Sequence, residues 1–332
     1  MSDYRHLVTM MKEKLNHQHI MVIGDVMIDR YVTGRAERIS PEAPVPVLNW
    51  RDEKIVLGGA ANVVGNLRSL QCKVSLISVC GNDIEADELE NLLAQLELSN
   101  LALIREEKRF TTVKTRFISD FQQMIRLDKE HTHWIQSDTE QNIISHTKKI
   151  LSSQTIDGVI LQDYNKGLLS KKLIAELLNL FKLHKVKVYV DPKGLNFFEF
   201  RDIFLFKPNL KEISQALQTV ESTDENHLFE ISKDLTGRIQ CQKLMITCGA
   251  RGIWIYQEGS GKLYPTSPRL VKDVSGAGDT VISLAAASYA VGCNDDEVAL
   301  ICNIGGGLVC EQPGVVAINR EEIWHELSHH SY

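Results

Sequence analysis

Runs of apolar residues suited to buried strands alternate along the chain with stretches of helical periodicity. The apolar runs predict strands over residues 19–24, 73–79, 157–161, 186–190, 203–206 and 243–247. The periodic stretches predict helices over residues 60–69, 83–97, 171–184 and 210–217. Strands that alternate with helices are typical of βαβ units, so the pattern predicts an α/β fold with a mostly parallel central sheet.

Two stretches break this alternation. Residues 31–52 contain Pro41, Pro44 and Pro46 and a short strand-like run, and residues 111–127 alternate between apolar and polar positions. Together they predict a small antiparallel sheet set apart from the main one. Such a flap could cover a bound substrate or pair with a second subunit. An ordinary edge hairpin is equally compatible with the pattern.

The composition is that of a soluble globular protein with a large core, since 43% of the 332 residues are hydrophobic and 24% are charged. The net charge of −6 and the lack of a long basic run argue against a nucleic-acid partner. Residues 1–19 lack the apolar segment of a signal peptide, and the apolar run 281–291 is too short to span a bilayer, so we expect no membrane association. The 7 scattered cysteines predict reduced thiols and a cytoplasmic location.

The segment 273–280, Asp-Val-Ser-Gly-Ala-Gly-Asp-Thr, has the composition of an anion-binding turn that opens a buried helix. Backbone N–H groups at such a helix start, here those of Gly276, Ala277 and Gly278, bind phosphate. Asp279 lies at the same positive end of the helix, where we expect its carboxylate to be ionised near neutral pH. It could take the proton of an attacking hydroxyl while the N–H groups stabilise a transferred phosphoryl group. A plain N-cap role for Asp279 is the structural alternative.

Polar residues near the first strand suit the hydroxyl groups of a sugar. Gly58 and Gly59 allow a ligand to approach the backbone closely, and Asn62 can both donate and accept hydrogen bonds. Asp25 and Asp29 follow the first strand and could accept hydrogen bonds from sugar hydroxyls. A glycine turn at a helix start and solvated turn acids explain the same residues without a ligand.

Two later strand ends suit a nucleotide. Asn209 and Glu212 would lie on one side of a first helical turn, where they could hold phosphate oxygens and a hydrated Mg²⁺ or form a capping box. The bend that contains Thr247, Gly249 and Gly252 could pass beside a nucleotide phosphate or ribose, or could simply turn a hairpin. The P-loop motif that binds phosphates in many other proteins is absent from the sequence.

Basic residues for an anionic substrate occur at several places. Arg116 and Arg126 fall in the second irregular stretch, and Lys166 and Lys193 follow predicted strands, Lys193 two residues after Asp191. Ligands of open α/β sheets bind at the carboxyl ends of strands, so both lysines lie where a site is expected. Because most Lys and Arg side chains are merely solvated, each of these assignments is a hypothesis.

The order of these motifs resembles the ribokinase/PfkB carbohydrate kinases. Gly24-Asp25, Gly58-Gly59 with Asn62, Asn209-x-x-Glu212 and Gly276-Ala277-Gly278-Asp279 appear as in that family, and the resemblance runs from about residue 19 to the C-terminus. It implies a ribokinase-like three-layer α/β fold with a mostly parallel central sheet and a small β lid, here residues 31–52 and 111–127. Residues 1–332 would form one carbohydrate kinase domain, and we expect a homodimer joined through the lid.

The resemblance also implies roles for the residues, with ATP and Mg²⁺ as cofactors. Asp279 would be the catalytic base, and the amides of Gly276, Ala277 and Gly278 would form the anion hole. The nucleotide would contact Asn209, Glu212, Thr247, Gly249, Gly252 and Asn303, with Glu212 organising Mg²⁺ through water. The sugar would be held by Asp25, Asp29, Gly58, Gly59 and Asn62, and its anionic group by some of Arg116, Arg126, Lys166 and Lys193, beside Asp191.

Within the family, the runs Arg38-Ile-Ser-Pro-Glu-Ala-Pro-Val-Pro-Val47 and Asp191-Pro-Lys-Gly194 resemble kinases of D-glycero-β-D-manno-heptose 7-phosphate. That likeness implies ATP-dependent phosphorylation of the C1 hydroxyl to the 1,7-bisphosphate, a step toward ADP-heptose and the lipopolysaccharide core. We expect no nucleotidylyltransferase domain, because the sequence has no H-x-G-H motif and no room for one. A kinase for another sugar phosphate or a nucleoside, and a non-catalytic sugar- or nucleotide-binding regulator, are the alternatives.

Overall fold

The computed structural model describes residues 4–120 and 122–329, and these residues form two β-sheets. In chain order the strands are β1 (His19–Gly24), β2 (Val26–Ile39), β3 (Pro46–Gly59), β4 (Lys73–Gly81), β5 (Asn100–Glu106), β6 (Val113–Ser119), β7 (Gln122–Lys129), β8 (Gly158–Gln162), β9 (Val188–Asp191), β10 (Leu205–Phe206), β11 (Lys243–Thr247), β12 (Ile253–Gln257) and β13 (Ser260–Tyr264). The large sheet has the order β13-β12-β11-β10-β9-β8-β1-β4-β5, and the small sheet has the order β3-β2-β6-β7.

The large sheet is mostly parallel, as the sequence predicts. Its neighbouring strands pair in parallel from β5 across to β11, and only β12 and β13 add an antiparallel edge. The carboxyl ends of the parallel strands therefore meet along one edge of the sheet, where ligands of open α/β sheets bind.

Helices cover both faces of the large sheet. They are α1 (Arg5–Lys14), α2 (Ala60–Ser69), α3 (Ile84–Ala94), α4 (Ser137–Ser153), α5 (Lys171–Leu183), α6 (Leu210–Leu217), α7 (Glu225–Ile239), α8 (Ala277–Val291), α9 (Asp295–Cys310) and α10 (Arg320–His329). Side chains of β1 show the division: Ile20 and Val22 join the core shared with α1–α3 and α8–α10, while Met21 and Ile23 join the core shared with α4–α7. This alternation is the period of two of a buried strand, and it confirms the three-layer fold.

The small sheet differs from its prediction in two respects. Its strands pair antiparallel within β2–β3 and β6–β7, but β2 and β6 pair in parallel, so the sheet is mixed. Strand β3 also runs from Pro46 to Gly59, well beyond the short run that the prolines suggested. Only Asp25 separates β1 from β2, so the chain passes directly from the large sheet into the small one.

The apolar run 281–291 lies in α8, whose residues are nearly all buried. Among the described residues, no helix is both long and apolar enough to cross a membrane.

The cysteines are free thiols, of which Cys310 alone is partly exposed and the other six are buried. Burial raises the pKa of Cys241 to about 11, which shows how an apolar setting keeps such thiols protonated.

Candidate active site

Asp279 lies at the start of α8, against the carboxyl ends of the central strands. The N-cap of α8 is Gly276, whose φ of 80° is left-handed, and Asp279 is the third residue of the helix. The N-cap interpretation of Asp279 is therefore wrong. A Cβ at Gly276 would stand 2.8 Å from Asn62 Nδ2, so the turn both needs a left-handed residue and has no room for a side chain.

Three side chains donate hydrogen bonds to the buried carboxylate of Asp279, which is 2% exposed. Asn62 Nδ2 donates to Oδ2 over 2.9 Å. Gln162 Nε2 donates to Oδ1 over 3.1 Å, and Tyr164 Oη donates to the same oxygen over 2.7 Å. These bonds fix the orientation of the carboxylate.

Burial raises the pKa of Asp279 to about 7, although the bonds from Asn62 and Tyr164 oppose the shift. The prediction of an ionised carboxylate near neutral pH therefore holds only in part, because a group with a pKa of about 7 is partly protonated at that pH. The helix terminus and the hydrogen bonds favour the charged form, but the loss of hydration outweighs them. A pKa near the operating pH suits a group that must accept a proton and release it again.

A buried ion pair stands behind this carboxylate. Lys207 Nζ lies 2.9 Å from Asp191 Oδ1, and both side chains are nearly inaccessible to solvent. Gln162 Nε2 donates to Asp191 Oδ2 over 2.9 Å as well as to Asp279, so one amide joins the two carboxylates. The network contains two carboxylates and one buried cation. The charge of Asp191 raises the pKa of Asp279, and the charge of Lys207 lowers it.

The first turn of α8 forms a small cradle beside this network. N–H groups in a first helical turn have no acceptor within the helix, and the helix dipole makes that end positive. A Cβ added at Gly278 would lie 3.7 Å from Lys207 Nζ and 3.9 Å from Asp191 Oδ2, so the missing side chain keeps the space open. The Gly278 amide, the dipole and the ammonium group together suit a phosphoryl group, whereas the Ala277 amide donates to the Val274 carbonyl over 3.3 Å.

Asn209 and Glu212 form the capping box of α6. Asn209 Oδ1 accepts from the Glu212 amide over 2.8 Å, and Glu212 Oε2 accepts from the Asn209 amide over 2.9 Å. The other oxygen, Oε1, pairs with Lys193 Nζ. Burial lowers the pKa of Lys193, but the carboxylates of Asp191 and Glu212 raise it more, so the lysine stays charged beside the cradle.

The bend after β11 lies next to this capping box. Thr247 forms a parallel β-bridge with Asn209, and Gly249 and Gly252 both have positive φ in the hairpin that leads into β12. A Cβ at Gly252 would lie 2.1 Å from the Tyr264 carbonyl oxygen, which also accepts from Asn303 Nδ2 over 3.0 Å. Gly252 and Asn303, two of the residues expected at the nucleotide, therefore meet at the Tyr264 carbonyl.

The residues expected at the sugar lie where the two sheets meet. Asp29 is buried and pairs with Arg116 Nη1. A Cβ at Gly58 would lie 2.1 Å from Asp29 Oδ2, so this carboxylate packs directly on the glycine backbone. Gly59 has a φ of 56° and is the N-cap of α2, the helix that carries Asn62. The interpretation of Asp25 and Asp29 as solvated turn residues is wrong, because both are buried.

Asp25 is also buried, but its carboxylate faces the protein backbone. It accepts hydrogen bonds from the amides of Tyr164, Lys166 and Leu168, over 2.8, 3.1 and 3.2 Å. Both carboxylate oxygens are thus occupied by the loop that follows β8.

Comparison with known proteins agrees with this geometry. The model of the pfkB family of carbohydrate kinases matches residues 17–322. The chain belongs to this family. Its family membership makes it a carbohydrate kinase.

Relatives of this pfkB family kinase include the bifunctional protein HldE of Aliarcobacter butzleri, 39% identical over 94% of the chain, and that of Syntrophotalea carbinolica, 35% identical over 96%. The chain spans 65% and 64% of the length of these two relatives. Among solved structures, phosphofructokinase-2 of Escherichia coli superposes with a TM-score of 0.77 at 16% identity, covering 94% of this chain and 99% of that chain. A ribokinase of Arabidopsis thaliana gives 0.71 at 15% identity over 95% and 99%. At these identities the structures show the ribokinase-like fold alone.

Four basic side chains, Lys114, Arg116, Arg126 and Lys166, cluster at one face of the small sheet, and Lys114 was missed by the sequence analysis. In the small sheet Asp29 is opposite Lys114, and Arg116 is opposite Arg126, so these side chains share a face. Burial lowers the pKa of Lys114, and the nearby charge of Lys166 lowers it further, which shows that the two lysines are neighbours. Strand alternation could have found Lys114, because it lies two residues before Arg116 on β6.

Gln162, Tyr164 and Lys207 were also missed as site residues. They stand at or just after the ends of β8 and β10, the kind of position that the sequence singled out. Gln162 and Tyr164 carry no charge at neutral pH. Lys207 lies two residues before Asn209, and nothing in the sequence distinguishes it from the other lysines.

Among the described residues, no group of three or more His, Cys, Asp and Glu side chains is arranged to hold a metal ion.

Proposed function

We propose that this protein transfers the γ-phosphoryl group of ATP to the C1 hydroxyl of D-glycero-β-D-manno-heptose 7-phosphate. The observation that carries the proposal is the position of Asp279, with the α8 cradle on one side and Asn62 and Asp29 on the other. The heptose is favoured by the resemblance of residues 38–47 and 191–194 to heptose kinases and by the HldE relatives. The activity would serve ADP-heptose synthesis in the cytoplasm.

In this reaction Asp279 accepts the proton of the C1 hydroxyl. The sugar oxygen then attacks the γ-phosphorus in line, the bond from phosphorus to the bridging oxygen breaks, and ADP leaves. An anomeric hydroxyl is more acidic than an ordinary alcohol, so a carboxylate with a pKa of about 7 is a sufficient base. The amides of Gly276 and Gly278 would stabilise charge on the transferred group.

The nucleotide would lie between α8 and the bend after β11. Asn209, Thr247, Gly249, Gly252 and Asn303 would border it, and Lys193 and Lys207 would face its phosphates. Mg²⁺ binds typically through one or two carboxylates, substrate phosphates and several waters, and it neutralises charge on the phosphates. Glu212 would reach the ion through water from Oε1, which it shares with Lys193, because its Oε2 accepts from the Asn209 amide.

We place the 7-phosphate at the basic face formed by Lys114, Arg126 and Lys166. Arg116 already pairs with Asp29, whereas Arg126 and Lys166 pair with the partly exposed acids Asp128 and Glu130, which a phosphate can displace. A dianionic phosphate also relieves the mutual repulsion of Lys114 and Lys166.

Replacement of Lys166 by alanine is expected to raise the KM for the sugar phosphate by about 10- to 100-fold, the equivalent of one charge-assisted hydrogen bond. The KM for ATP should stay within about twofold, because the nucleotide lies on the other side of Asp279. Steady-state kinetics with each substrate varied in turn measure both constants. The matched control is Lys172→Ala, a lysine 61% exposed on α5, which should change neither. An equal rise in both KM values would contradict this placement.

The outer face of the small sheet suits a second copy of the chain. Val32, Phe117 and Ile125 form one row across β2, β6 and β7, with Leu127 beside them. Ile125 and Leu127 are 61% and 59% exposed, and exposed apolar patches of this kind mark protein interfaces.

Replacement of Ile125 by glutamate is expected to convert a dimer into monomers, because a charge would be buried in the apolar interface. Analytical ultracentrifugation of both proteins at several concentrations measures the change. Leu183→Glu is the control, since Leu183 is 79% exposed on α5, far from the small sheet, and should leave the dimer intact. A monomeric wild-type protein would rule out this interface.

The substrate is tested by ADP release from Mg-ATP with heptose 7-phosphate, fructose 6-phosphate, ribose and adenosine as acceptors. We expect strong turnover with the heptose phosphate alone. Turnover with another acceptor would overturn the proposed substrate but leave the kinase activity established. Binding of ATP without turnover on any acceptor would favour a regulatory role.

A further inference from the structure

The loop between β8 and α5 is wrapped around a buried carboxylate. The amides of Tyr164 and Lys166 both donate to Asp25 Oδ2, and the amide of Leu168 donates to Oδ1. Asp25 is 4% exposed and is the single residue between β1 and β2. One side chain thus satisfies three backbone N–H groups of a segment that has no regular structure of its own.

A buried arginine also holds this loop, through a backbone carbonyl. Arg109 Nη1 donates to the Lys166 carbonyl over 2.6 Å, and its Nη2 donates to the His133 carbonyl over 2.6 Å. Asn165 and Gly167 have φ values of 55° and 90°, so the loop takes two left-handed turns. Such a backbone keeps its shape only when outside contacts hold it, and Asp25 and Arg109 supply them.

The loop carries Tyr164, whose hydroxyl donates to Asp279 Oδ1 over 2.7 Å. Burial and the neighbouring Asp279 carboxylate hold the pKa of Tyr164 well above its ordinary value, so the hydroxyl keeps its proton and remains a donor. A hydrogen bond keeps its strength only within a narrow range of distance and weakens steeply when its angle falls below about 120°. The position of the loop therefore decides whether Asp279 receives this bond.

We propose that Asp25 and Tyr164 are positioning residues for the base: Asp25 holds the loop, and the loop holds the Tyr164 hydroxyl on Asp279. Tyr164 favours the ionised carboxylate and turns it so that Oδ2 faces Asn62. Asp25 then acts through the loop and is no direct ligand of the sugar. The inference rests on the proposed function, in which Asp279 takes the proton of the acceptor hydroxyl.

The first test is the pH dependence of kcat/KM for Tyr164→Phe. Activity requires ionised Asp279, so it falls as pH drops through the pKa of this group. Loss of the Tyr164 bond removes stabilisation of the charged form, and we expect the acid limb to move about one pH unit higher. Asp191, Lys193, Lys207 and Asp29 also face this region and stay unchanged in the variant, as does Asp163, whose pKa is raised to about 7 by burial and by the neighbouring Asp25.

Asp25→Asn should move the acid limb in the same direction, and the double variant Asp25→Asn/Tyr164→Phe should move it no further than Tyr164→Phe alone. Arg109→Gln removes the hydrogen bond to the Lys166 carbonyl, which loosens the loop, and should shift the acid limb in the same direction. Tyr189→Phe is the control, because Tyr189 is buried and its hydroxyl has no hydrogen-bond partner among the described residues. It should leave the limb in place.

Hydrogen exchange of residues 164–168 tests, without any turnover, whether Asp25 holds this loop. Asp25→Asn should speed the exchange of these amides, whereas Tyr189→Phe should not. Unchanged protection in Asp25→Asn would overturn the proposal, as would additive shifts in the double variant. A rise in the KM for the sugar with no shift of the acid limb would instead make Asp25 a sugar ligand. Full activity in Asp279→Asn would refute the proposed base. The exchange experiment would still test separately whether Asp25 holds the loop.

Discussion

Replacement of Asp279 by asparagine is expected to lower kcat by about 10²- to 10⁴-fold, the contribution typical of a positioned general base. Asparagine keeps the volume of the side chain and one acceptor oxygen, so the bonds that Tyr164 and Gln162 donate to Oδ1 can be retained, whereas the bond that Asn62 donates to Oδ2 is lost. The amide cannot take a proton from the acceptor hydroxyl. The loss should therefore fall on turnover, and ATP should still bind.

Assays of ADP release and calorimetric titration with ATP separate these two effects. The wild-type enzyme should lose activity as pH falls through about 7, because burial raises the pKa of Asp279 to about 7 and only the ionised form is a base. The residual activity of Asp279→Asn should lack this limb. A variant that kept wild-type turnover, or that lost ATP binding together with turnover, would exclude Asp279 as the base.

Replacement of Lys207 by methionine is expected to destabilise the fold by about 3–5 kcal/mol, the cost typical of removing one partner of a buried ion pair. Lys207 and Asp191 are each less than a tenth exposed, so the remaining carboxylate would lose its ion-pair partner and keep only the Gln162 amide and the nearby charge of Lys193. The acid limb of kcat/KM should also move to higher pH, because Lys207 is among the groups that lower the pKa of Asp279.

Urea denaturation at pH 8 measures this loss of stability. The double variant Lys207→Met/Asp191→Asn should recover most of it, because no uncompensated charge is left buried. Lys182→Met removes a partner from the exposed pair with Asp202, whose nitrogen and oxygen lie 2.9 Å apart, and should cost less than about 1 kcal/mol. A loss for Lys207→Met as small as that of the surface control would mean that water reaches the buried pair.

Features that depend on neighbours in the chain were predicted from the sequence. Helix α2 (Ala60–Ser69) and α6 (Leu210–Leu217) have the predicted bounds, and the capping box of Asn209 and Glu212 is present. The glycine turn at Gly276 was found for the same reason, because the conformation that starts a helix is set within a few residues. The alternation of strands and helices was enough to predict a mostly parallel sheet.

Features that depend on strand order were not predicted. Gln162 joins Asp279 to Asp191 because β8 and β9 are neighbours in the sheet, and Lys207 completes the pair because β10 follows β9. The parallel pairing of β2 with β6 likewise has no local signal, since the two strands are separated by much of the first half of the chain.

The sequence alone therefore determined the kind of fold, the helix start that suits a phosphoryl group and the carboxylate beside it, because short-range periodicity and turn chemistry encode them. Tertiary structure decided the pKa and the orientation of that carboxylate. Burial brings its pKa to about 7, and the contacts of Asn62, Gln162 and Tyr164 orient it. Desolvation and long-range hydrogen bonds arise only when distant segments pack together, so no local pattern records them.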